Sequence, residues 1–447
     1  MSEENSEFAA VAISDDQLVA WPRVAAVAAM VAFSLPTFLT GLEVFSGLLP
    51  ANAMSALVLG SLIVVIIGSV MGFIGASDRM SSYLLVRVAF GDKGAGLVNI
   101  AFAISLLGWF GVNINLFMDT VARLGTDLWD VSLPPVLLAV LASFCMTLTT
   151  LVGFKAINIL STLLVPVLVI VTALFAKSAF SNNSFSEFLA MGEPIRVTAE
   201  NAMTIGDGIS WVVGAVIIGA IILPDITRFI RKPSGAIYTA IIAYLIVQLL
   251  VMGSAGLAGV SSGAFNELFD AEGVSRTDVI LKLMLDVNLG FGAFIIVIAG
   301  SWVLNSLNLY STVLSTKATF PKLNTKWLTI GLGAVGVIAA LMNILEKFEV
   351  FLWYLSILFI PVAGVLIIDR LLLRPNAYNL ETLQDNNTLN LPAFIAWAVG
   401  ATLAIFAERG TVPTVTGIGA MDALILSGLL YIVLSLILRR KTNGVST

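Results

Sequence analysis

The chain has no histidine, a single cysteine and few charged residues, and each shortage excludes a class of protein. Charged residues make up 11% of the 447 residues, against roughly a quarter in soluble domains. With Cys145 as the single thiol and no histidine, an intrachain disulfide and a cysteine–histidine metal cluster are excluded. Clustered intramembrane carboxylates are also missing, so we expect neither an enzyme nor a bound cofactor.

Long apolar stretches fill most of the sequence. Apolar residues account for 58% of it, and a membrane-spanning helix needs about 20 such residues. The pattern predicts an all-α integral membrane protein with twelve transmembrane helices in contact with the lipid bilayer. The predicted spans are 22–46, 54–75, 95–122, 133–153, 156–177, 209–229, 236–260, 289–316, 327–345, 348–371, 391–407 and 416–438.

Lysine and arginine residues predict the orientation of the chain. With the N-terminus inside, 16 of the 23 basic residues fall on the cytoplasmic side, as the positive-inside rule requires. They are Arg23, Arg79, Arg87, Lys93, Lys155, Arg228, Arg231, Lys232, Lys317, Lys322, Lys326, Arg370, Arg374, Arg439, Arg440 and Lys441. The even number of spans then places both termini in the cytoplasm. We expect the protein to lie in the inner (plasma) membrane.

The segments outside the spans divide the chain. The acidic tail 1–20 has no basic n-region, so it is not a signal peptide. We expect a ten-helix transport core at 21–374, with repeats at about 21–178 and 206–374. A polar loop at 375–390 separates the core from an accessory helix pair at 391–438, which a basic tail, 439–447, follows. The net charge of -5 is spread over loops and indicates no nucleic-acid partner.

Spans one and six both contain residues that interrupt helices. Pro36 lies in the segment 36–41 of span one, and glycines occur within 214–219 of span six, which Pro224 ends. Irregular backbone survives at membrane depth only inside the protein or beside a water-filled cavity. If the repeats are inverted, spans one and six are counterparts, and paired interruptions there mark a binding site at mid-membrane. The sequence therefore predicts a transporter with breaks near 36–41 and 214–219.

Several motifs, in this order and spacing, carry a family resemblance. They are GFIGASDRMSSYLLVRVAFGDKG at 72–94, GWFGV at 108–112, DITRF at 225–229, SWVLNSLNLY at 301–310 and IPVAGVLIIDRLL at 360–372. Together they resemble the cytosine permease branch of the nucleobase–cation symporter family over nearly the whole chain. The resemblance implies a leucine-transporter-type core of five-plus-five inverted-repeat helices with two further helices. It also implies cation-driven uptake of nucleobases or related heterocycles.

A planar heterocycle needs an aromatic ring to stack on and polar groups for its edge. Trp109 lies in mid-span between Gly108 and Gly111, whereas tryptophans of membrane helices mostly lie at the interfaces. We therefore expect it to stack on a ligand rather than pack in the core or face lipid, and by resemblance it matches the family's stacking tryptophan. Asn113, one turn further along the same face, either reads the ligand edge or links helices. The predicted substrate-binding residues are Ser34, Thr37, Trp109, Asn113, Gly214, Ala215, Val216, Gly300 and Asn305.

Several positions depart from the family pattern. The resemblance implies a glutamine at Leu106, a serine–phenylalanine pair at Ala215 and Val216, a serine at Ile218 and an asparagine at Gly300. A buried polar group of a ligand left without a partner costs about 1–3 kcal/mol. We therefore expect weak binding of cytosine and a preference for a larger or less polar solute.

Two features of the sequence disagree about the coupling cation. The resemblance implies sodium, bound by carbonyls of span one near Met30 and Ser34 and by two hydroxyl residues of span eight. Those two positions are Val303 and Leu304 here, and Ser301 lies on another face. A complete sodium site is therefore not expected.

A proton needs a single carboxylate, and carboxylates inside a membrane are functional candidates. Glu43 follows the interruption in span one and Asp119 lies in span three, so we favour H⁺ over Na⁺ with Glu43 as the carrier. Asp225 and Arg228 are three residues apart, a spacing that permits an ion pair on one helix face. We interpret them as a latch at the inner gate.

The sequence thus predicts a monomeric secondary transporter that imports a planar heterocycle by cation symport. Asn305 and Asn308 of span eight are three residues apart, and we expect one to face the pocket and the other to cross-link helices. The alternative is an amino-acid or other small-solute symporter on the same fold. Such a carrier would bind a carboxylate at the broken-helix N-termini and would not need Trp109.

Overall fold

The computed structural model describes residues 13–180, 184–190, 203–262, 295–342, 348–379, 389–408 and 411–443. Within these ranges the chain is helical apart from turns, short connections and one isolated backbone bridge between Val19 and Ile230. Both ends of the chain, 1–12 and 444–447, and most of the segment between the predicted spans 236–260 and 289–316 lie outside the described residues.

The helices of the first half are α1 (Trp21–Ala32), α2 (Leu35–Gly47), α3 (Pro50–Asp78), α4 (Ser82–Trp129), α5 (Pro135–Val152), α6 (Phe154–Ala179) and α7 (Phe185–Leu189). Those of the second half are α8 (Ile205–Ile221), α9 (Pro224–Thr227), α10 (Gly235–Ile241), α11 (Gln248–Ser262), α12 (Ser301–Thr319), α13 (Thr325–Leu341), α14 (Phe348–Ile368), α15 (Leu391–Glu408) and α16 (Gly419–Asn443). Short π-helical segments join α10 to α11 (Ile242–Val247), precede α12 (Ile296–Gly300) and follow α14 (Asp369–Leu373).

Each of the twelve predicted stretches is mostly helical among the residues that the structure describes. Among the described residues, 8 helices are long and apolar enough to cross a membrane, or 9 if the bent pair α1–α2 is one span. Large apolar side chains such as Ile66, Ile104 and Leu163 are 64%, 67% and 66% exposed on the outside of the bundle. Such a surface suits contact with lipid rather than water. The count of twelve crossings stays a prediction.

Span one is broken, but not at the predicted residues. The chain bends by 54° between α1 and α2, at Phe33 and Ser34, whereas 36–41 are helical. Ser34 caps α2 by accepting a hydrogen bond from the Thr37 N–H at 3.4 Å. Pro36 fits the first turn of α2, where a backbone N–H has no intrahelical partner to lose. The prediction of a break at 36–41 is therefore wrong, because Pro36 begins a helix there.

Span six is also broken later than predicted. Residues 214–219 lie inside the continuous helix α8, and the irregular residues are Ile222 and Leu223, before Pro224 begins the single turn α9. The prediction of a break at 214–219 is wrong because the glycines serve helix packing, as they often do in membrane helices. A Cβ atom at Gly219 would lie 3.1 Å from the side chain of Val31 in α1.

The π-helical segment before α12 packs directly on the break in span one. A Cβ atom at Gly300 would overlap the carbonyl oxygen of Phe33, so this approach requires glycine. Gly41, in α2, meets the backbone of Met252 in α11 in the same way. Close backbone contact thus fixes both sides of the break.

Helix α4 contains a kink at Gly91, which has φ 73° and ψ 165°. This left-handed conformation favours glycine. It separates the helical segment 82–90 from the predicted third span, which explains why α4 begins well before the predicted residue 95.

The end of the bundle that carries the N-terminus is closed by backbone contacts. The Val19 N–H donates to the Phe229 carbonyl at 2.8 Å, and the Arg231 N–H donates to the Val19 carbonyl at 3.2 Å. Arg79 is the residue that follows α3, and its guanidinium donates to the Arg228 carbonyl at 3.2 Å. The segment before α1 and the end of α3 are thereby tied to the chain that follows α9.

A buried polar cluster attaches the last helix to the rest of the bundle. The Asp369 carboxylate is fully buried and accepts hydrogen bonds from Arg374 at 2.8 Å, Tyr378 at 2.7 Å and Tyr431 at 2.5 Å. Because Tyr431 belongs to α16 and Asp369 follows α14, the cluster ties α16 to the core. A buried carboxylate needs such partners to offset its desolvation.

We predict that Gly300→Ala destabilises the protein and reduces transport. The added methyl group overlaps the Phe33 carbonyl, and overpacking of this kind costs about 1–3 kcal/mol. Gly253→Ala is the matched control, since a Cβ atom there meets nothing within 4 Å. Thermal unfolding in detergent should show a lower midpoint for Gly300→Ala and an unchanged or higher one for Gly253→Ala. Equal midpoints for the two variants would contradict the predicted contact.

Candidate functional site

A cavity lies between the broken spans α1–α2 and α8–α9 and is completed by α4, α12 and the π-helical segment of span seven. About 590 Å³ of space that no protein atom fills lies within it, part of which is open to solvent. Its polar or aromatic lining residues are Ser34, Trp109, Asp225, Tyr244, Asn308 and Ser311. Its other lining residues are Val31, Leu106, Ala215, Val216, Ile218, Gly219, Ile222, Leu223, Ile226, Leu304 and Leu307.

Trp109 lines this cavity from α4, and 7% of it is exposed. The Asn113 side-chain amide donates to the Trp109 carbonyl at 2.8 Å, which braces the helical turn that carries the indole. Gly111 does not border the cavity, because a Cβ atom there would lie 3.0 Å from Ala339 of α13. The tryptophan is thus held by helix packing behind it and lines the cavity on its other side.

Four of the predicted substrate-binding residues line the cavity, namely Ser34, Trp109, Ala215 and Val216. Thr37 lies behind Ser34, with their hydroxyl oxygens 2.9 Å apart, and its hydroxyl donates to the Val31 carbonyl at 3.2 Å. Thr37 therefore supports the break in span one rather than bordering the cavity.

The structure does not bring the other four predicted residues to the cavity. Asn113 turns back onto α4, and the Asn305 amide donates to the Phe110 carbonyl at 3.1 Å. Gly214 is buried within α8, and Gly300 faces the backbone of the break. Asn305 of α12 satisfies a backbone carbonyl of α4 and so links two helices, whereas the Asn113 hydrogen bond to Trp109 stays within α4.

The cavity wall carries aliphatic side chains where the resemblance implied polar or aromatic ones. Leu106, Ala215, Val216 and Ile218, the four departures on spans three and six, all line it. Leu304, one of the two positions where a hydroxyl was implied, lines it as well. The wall around Trp109 therefore offers dispersion contacts and few hydrogen bonds.

Asp225 was predicted as a latch, and the structure places it in the cavity wall as well. It is 1% exposed, and its carboxylate accepts from the Ser82 N–H at 2.9 Å and the Ser311 hydroxyl at 2.8 Å. Arg228 donates to the Asp225 carbonyl at 3.1 Å and to the Tyr310 hydroxyl at 2.8 Å. The two residues join α9 to the start of α4 and to α12.

Tyr244 is a cavity residue that sequence reasoning missed. It is fully buried, and within the described part of the chain its hydroxyl has no hydrogen-bond partner. It belongs to the π-helical segment Ile242–Val247, and π-helical turns are frequent at functional sites. A tyrosine in an apolar span gives the same sequence signal as a core residue, so only the fold reveals its hydroxyl as a potential ligand contact.

Asn308 and Ser311 were also not predicted as site residues, although Asn308 was one of the two asparagines expected to differ in role. Both follow Leu304 and Leu307 along one face of α12, and all four line the cavity. The spacing of three or four residues is the signal that would have identified them together. Asn308 faces the cavity and Asn305 links helices.

The predicted sodium ligands are spread around the break. Met30 is fully buried in α1, and Ser301 is 1% exposed at the start of α12. The Ser301 hydroxyl has no hydrogen-bond partner among the described residues. Val303, one of the two positions where the resemblance implied a hydroxyl, is buried and apolar. Sodium prefers oxygen ligands. Apolar side chains at the two positions where the resemblance implied hydroxyl groups therefore leave this region with two fewer ligands for the ion.

The predicted proton carriers lie outside the cavity wall. Glu43 is 3% exposed within α2, so it is not a solvated interface residue. Asp119 is half-buried and accepts a hydrogen bond from Asn115 at 3.3 Å. No group of three or more histidine, cysteine or acidic side chains is placed to bind a metal ion within the described ranges.

Residues 24–431 match the family described as permeases for cytosine/purines, uracil, thiamine and allantoin. The chain belongs to this family. Cytosine permeases of Escherichia coli strains K12 and O157:H7 are 26% identical over 410 residues, covering 91% of this chain and 89% of theirs. The resemblance drawn from the motifs is thereby confirmed, and a permease family with several apolar helices makes this a multi-pass membrane protein.

Solved structures establish the fold. The nucleobase–cation-symport-1 family transporter Mhp1, closed with bromovinylhydantoin bound, matches with a TM-score of 0.76 at 20% identity, over 99% of this chain and 96% of its own. A Na⁺-coupled sialic acid symporter in an outward-open state matches with a TM-score of 0.62 at 14% identity, over 96% and 93%. The predicted all-α symporter-type architecture is confirmed at this level.

We predict that Asp225→Asn lowers both stability and transport rate. The asparagine oxygen can still accept from the Ser82 N–H, but its NH₂ group then meets Ser311, whose hydroxyl must turn to accept from it. The buried Arg228 also loses a nearby negative charge, so we expect a loss of about 1–3 kcal/mol. Asp16→Asn, an exposed position near the N-terminus, is the control. Thermal unfolding in detergent should separate the two variants. If Asp225→Asn unfolds like the wild type, the carboxylate does not hold α9 against α4 and α12.

Proposed function

We propose that this protein is a secondary active transporter that imports a nucleobase or related planar heterocycle by cation symport. The observation that carries the proposal is the Trp109 side chain lining a cavity between two interrupted spans. A base stacked on an aromatic side chain gains roughly 1–3 kcal/mol. Interrupted spans that border such a cavity are the usual site of substrate binding in transporters of this kind.

The named relatives support a heterocyclic substrate. The family description names cytosine, purines, uracil, thiamine and allantoin, and the E. coli relatives are named cytosine permeases. Mhp1 carries a bromovinylhydantoin in its solved structure. These molecules share a flat ring that carries nitrogen, which suits a tryptophan face with polar groups at one side.

The apolar wall supports a substrate that is larger or less polar than cytosine. Leu106, Ala215, Val216 and Ile218 line the cavity and cannot pair with the polar edge of a small base. A base bound against them leaves donors and acceptors without partners, at about 1–3 kcal/mol each. We therefore propose weak binding of cytosine itself.

We further propose that the chain crosses the membrane twelve times, with both termini in the cytoplasm. The protein lies in the inner membrane and is a monomer. The transport core is 21–374, with repeats at about 21–178 and 206–374, and the accessory pair is 391–438. Alternating access then uses the breaks at Phe33–Ser34 and Ile222–Leu223 as hinges. Helix breaks supply such hinges because a few residues absorb the change in backbone angles.

We predict that Trp109→Ala abolishes most binding and uptake of the transported heterocycle. Losing a stacking contact of roughly 1–3 kcal/mol corresponds to about a ten- to hundredfold weaker affinity. Trp109→Phe should retain part of it, since a smaller ring still stacks. Trp327→Ala is the control, because Trp327 is 70% exposed on α13. Radiolabelled uptake of nucleobases, hydantoins and amino acids measures the effect.

Normal heterocycle uptake by Trp109→Ala would contradict the proposal. Uptake of an amino acid that is independent of Trp109 would favour the small-solute symporter instead. Expression and folding of each variant are checked by its elution in detergent, so that loss of uptake is attributed to the site.

We predict coupling to H⁺ rather than Na⁺, with Glu43 as the carrier. Apolar residues at Val303 and Leu304 weaken a sodium site, while Glu43 is a buried carboxylate within α2. In proteoliposomes a proton gradient should drive uptake, and Glu43→Gln should abolish the stimulation. Glu187→Gln, on the exposed turn α7, should leave it unchanged. Sodium-driven uptake that survives Glu43→Gln would show the prediction to be wrong.

A further inference from the structure

Tyr244 reaches the cavity wall through a space that two glycines leave open. A Cβ atom at Gly68 of α3 would lie 3.2 Å from the Tyr244 ring. A Cβ atom at Gly219 of α8 would lie 3.1 Å from the Tyr244 hydroxyl and 3.1 Å from the side chain of Val31 in α1. Tyr244, Gly219 and Val31 all line the cavity. The ring therefore packs on α3, and the hydroxyl enters the cavity wall between α8 and α1.

Three hydroxyl side chains of the described residues line the cavity, and the two serines among them already donate their hydrogen atoms inside the protein. The Thr37 hydroxyl donates to the Val31 carbonyl at 3.2 Å. Ser34 must therefore be the donor in the pair of hydroxyl oxygens that it forms with Thr37 at 2.9 Å. The Ser311 hydroxyl donates to the Asp225 carboxylate at 2.8 Å. Because a hydroxyl carries one hydrogen, neither serine has one left for a ligand.

The third hydroxyl is that of Tyr244, which is fully buried. No residue that the structure describes accepts its hydrogen or donates to its oxygen. A buried tyrosine hydroxyl usually has a partner, and one without a partner needs an explanation such as a ligand. Phenylalanine would fill the same space between Gly68 and Gly219 without burying a polar group. The cavity wall thus presents one hydroxyl donor that the described part of the protein does not use.

We propose that Tyr244 determines ligand specificity by donating its hydroxyl hydrogen to a carbonyl oxygen of the transported heterocycle. Gly219 is the positioning residue, because its missing side chain admits the hydroxyl to the cavity wall. The inference rests on the proposed function and names the chemistry of the substrate, a ring carbonyl on the edge that meets the space between α1 and α8. Sulfur is a weak acceptor, so an analogue with a thiocarbonyl at that edge leaves the hydroxyl poorly paired and binds less tightly.

The test compares heterocycles with their thiocarbonyl analogues. Uracil with 2-thiouracil and 4-thiouracil, hypoxanthine with 6-mercaptopurine, and hydantoin with 2-thiohydantoin are titrated into the purified full-length protein in nanodiscs by calorimetry. In the wild type, sulfur at one position should weaken binding about tenfold, the effect of one hydrogen bond. Tyr244→Phe keeps the ring and removes the hydroxyl, so the affinity ratio of parent to analogue should fall towards one. Tyr238→Phe, the same change at a position of α10 that is 54% exposed, should keep the wild-type ratio.

The stability of the ligand-free protein provides a second measurement. Because the Tyr244 hydroxyl has no partner among the described residues, Tyr244→Phe should leave the thermal unfolding midpoint unchanged or raise it. A clearly lower midpoint would show that the hydroxyl is already hydrogen-bonded inside the protein, and it would overturn the proposal.

Gly219→Ala tests the positioning role. The added methyl group would lie 3.1 Å from the Tyr244 hydroxyl, so the hydroxyl is displaced from the cavity wall and the affinity ratio of parent to thio analogue should fall towards one. Gly253→Ala, where a Cβ atom meets nothing within 4 Å, should keep the wild-type ratio. A methyl group that only crowds the cavity would weaken both ligands equally. An unchanged ratio in Gly219→Ala would therefore overturn the positioning role.

The outcomes separate this inference from the proposed function. If sulfur changes the affinity equally in the wild type and in Tyr244→Phe, the specificity role of Tyr244 is overturned while a Trp109-dependent heterocycle site stands. If none of these heterocycles binds the wild type, or binding is unaffected by Trp109→Ala, the proposed function fails and this inference fails with it.

Discussion

Backbone groups at the break in span one need partners from the protein, because a bilayer supplies none. Ser34 satisfies the first turn of α2 and Thr37 returns a hydroxyl to the Val31 carbonyl of α1. Gly300 lets α12 approach the Phe33 carbonyl from the other side. These contacts keep the two half-helices apart at a fixed angle, and the gap beneath them is where the cavity opens. The position of Ser34 in the cavity wall follows directly from its role as a cap.

Polarity is distributed unevenly around that cavity. Spans three and six contribute apolar side chains beside Trp109, whereas the polar groups come from α9, α12 and the π-helical segment of span seven. The cavity therefore offers dispersion and stacking contacts on one side and hydrogen-bonding groups on the other. Asp225 lines the cavity and also holds α9 against the start of α4 and against α12. One residue therefore belongs both to the cavity wall and to the helix packing beside it.

Sequence reasoning recovered what depends on composition and missed what depends on helix rotation. Apolar length located the helices, and a tryptophan in mid-span was sufficient to find Trp109. Pro36 misled because proline is as suited to a first helical turn as to a break. Which of Asn305 and Asn308 faces the ligand depends on the Phe110 carbonyl in another helix, which the local sequence does not encode. Tyr244 was missed because a tyrosine in an apolar span gives the same sequence signal whether its ring packs in the core or its hydroxyl lines a cavity.

The short pairing between Val19 and the chain after α9 has a spectroscopic consequence. The amide hydrogens of Val19 and Arg231 are held in hydrogen bonds that join two separate parts of the chain. Neither amide lies inside a helix, so their protection from deuterium depends on that pairing rather than on local helical structure. Deuterium uptake at these two amides would therefore report, in the unmodified protein, when the segment before α1 separates from the chain that follows α9.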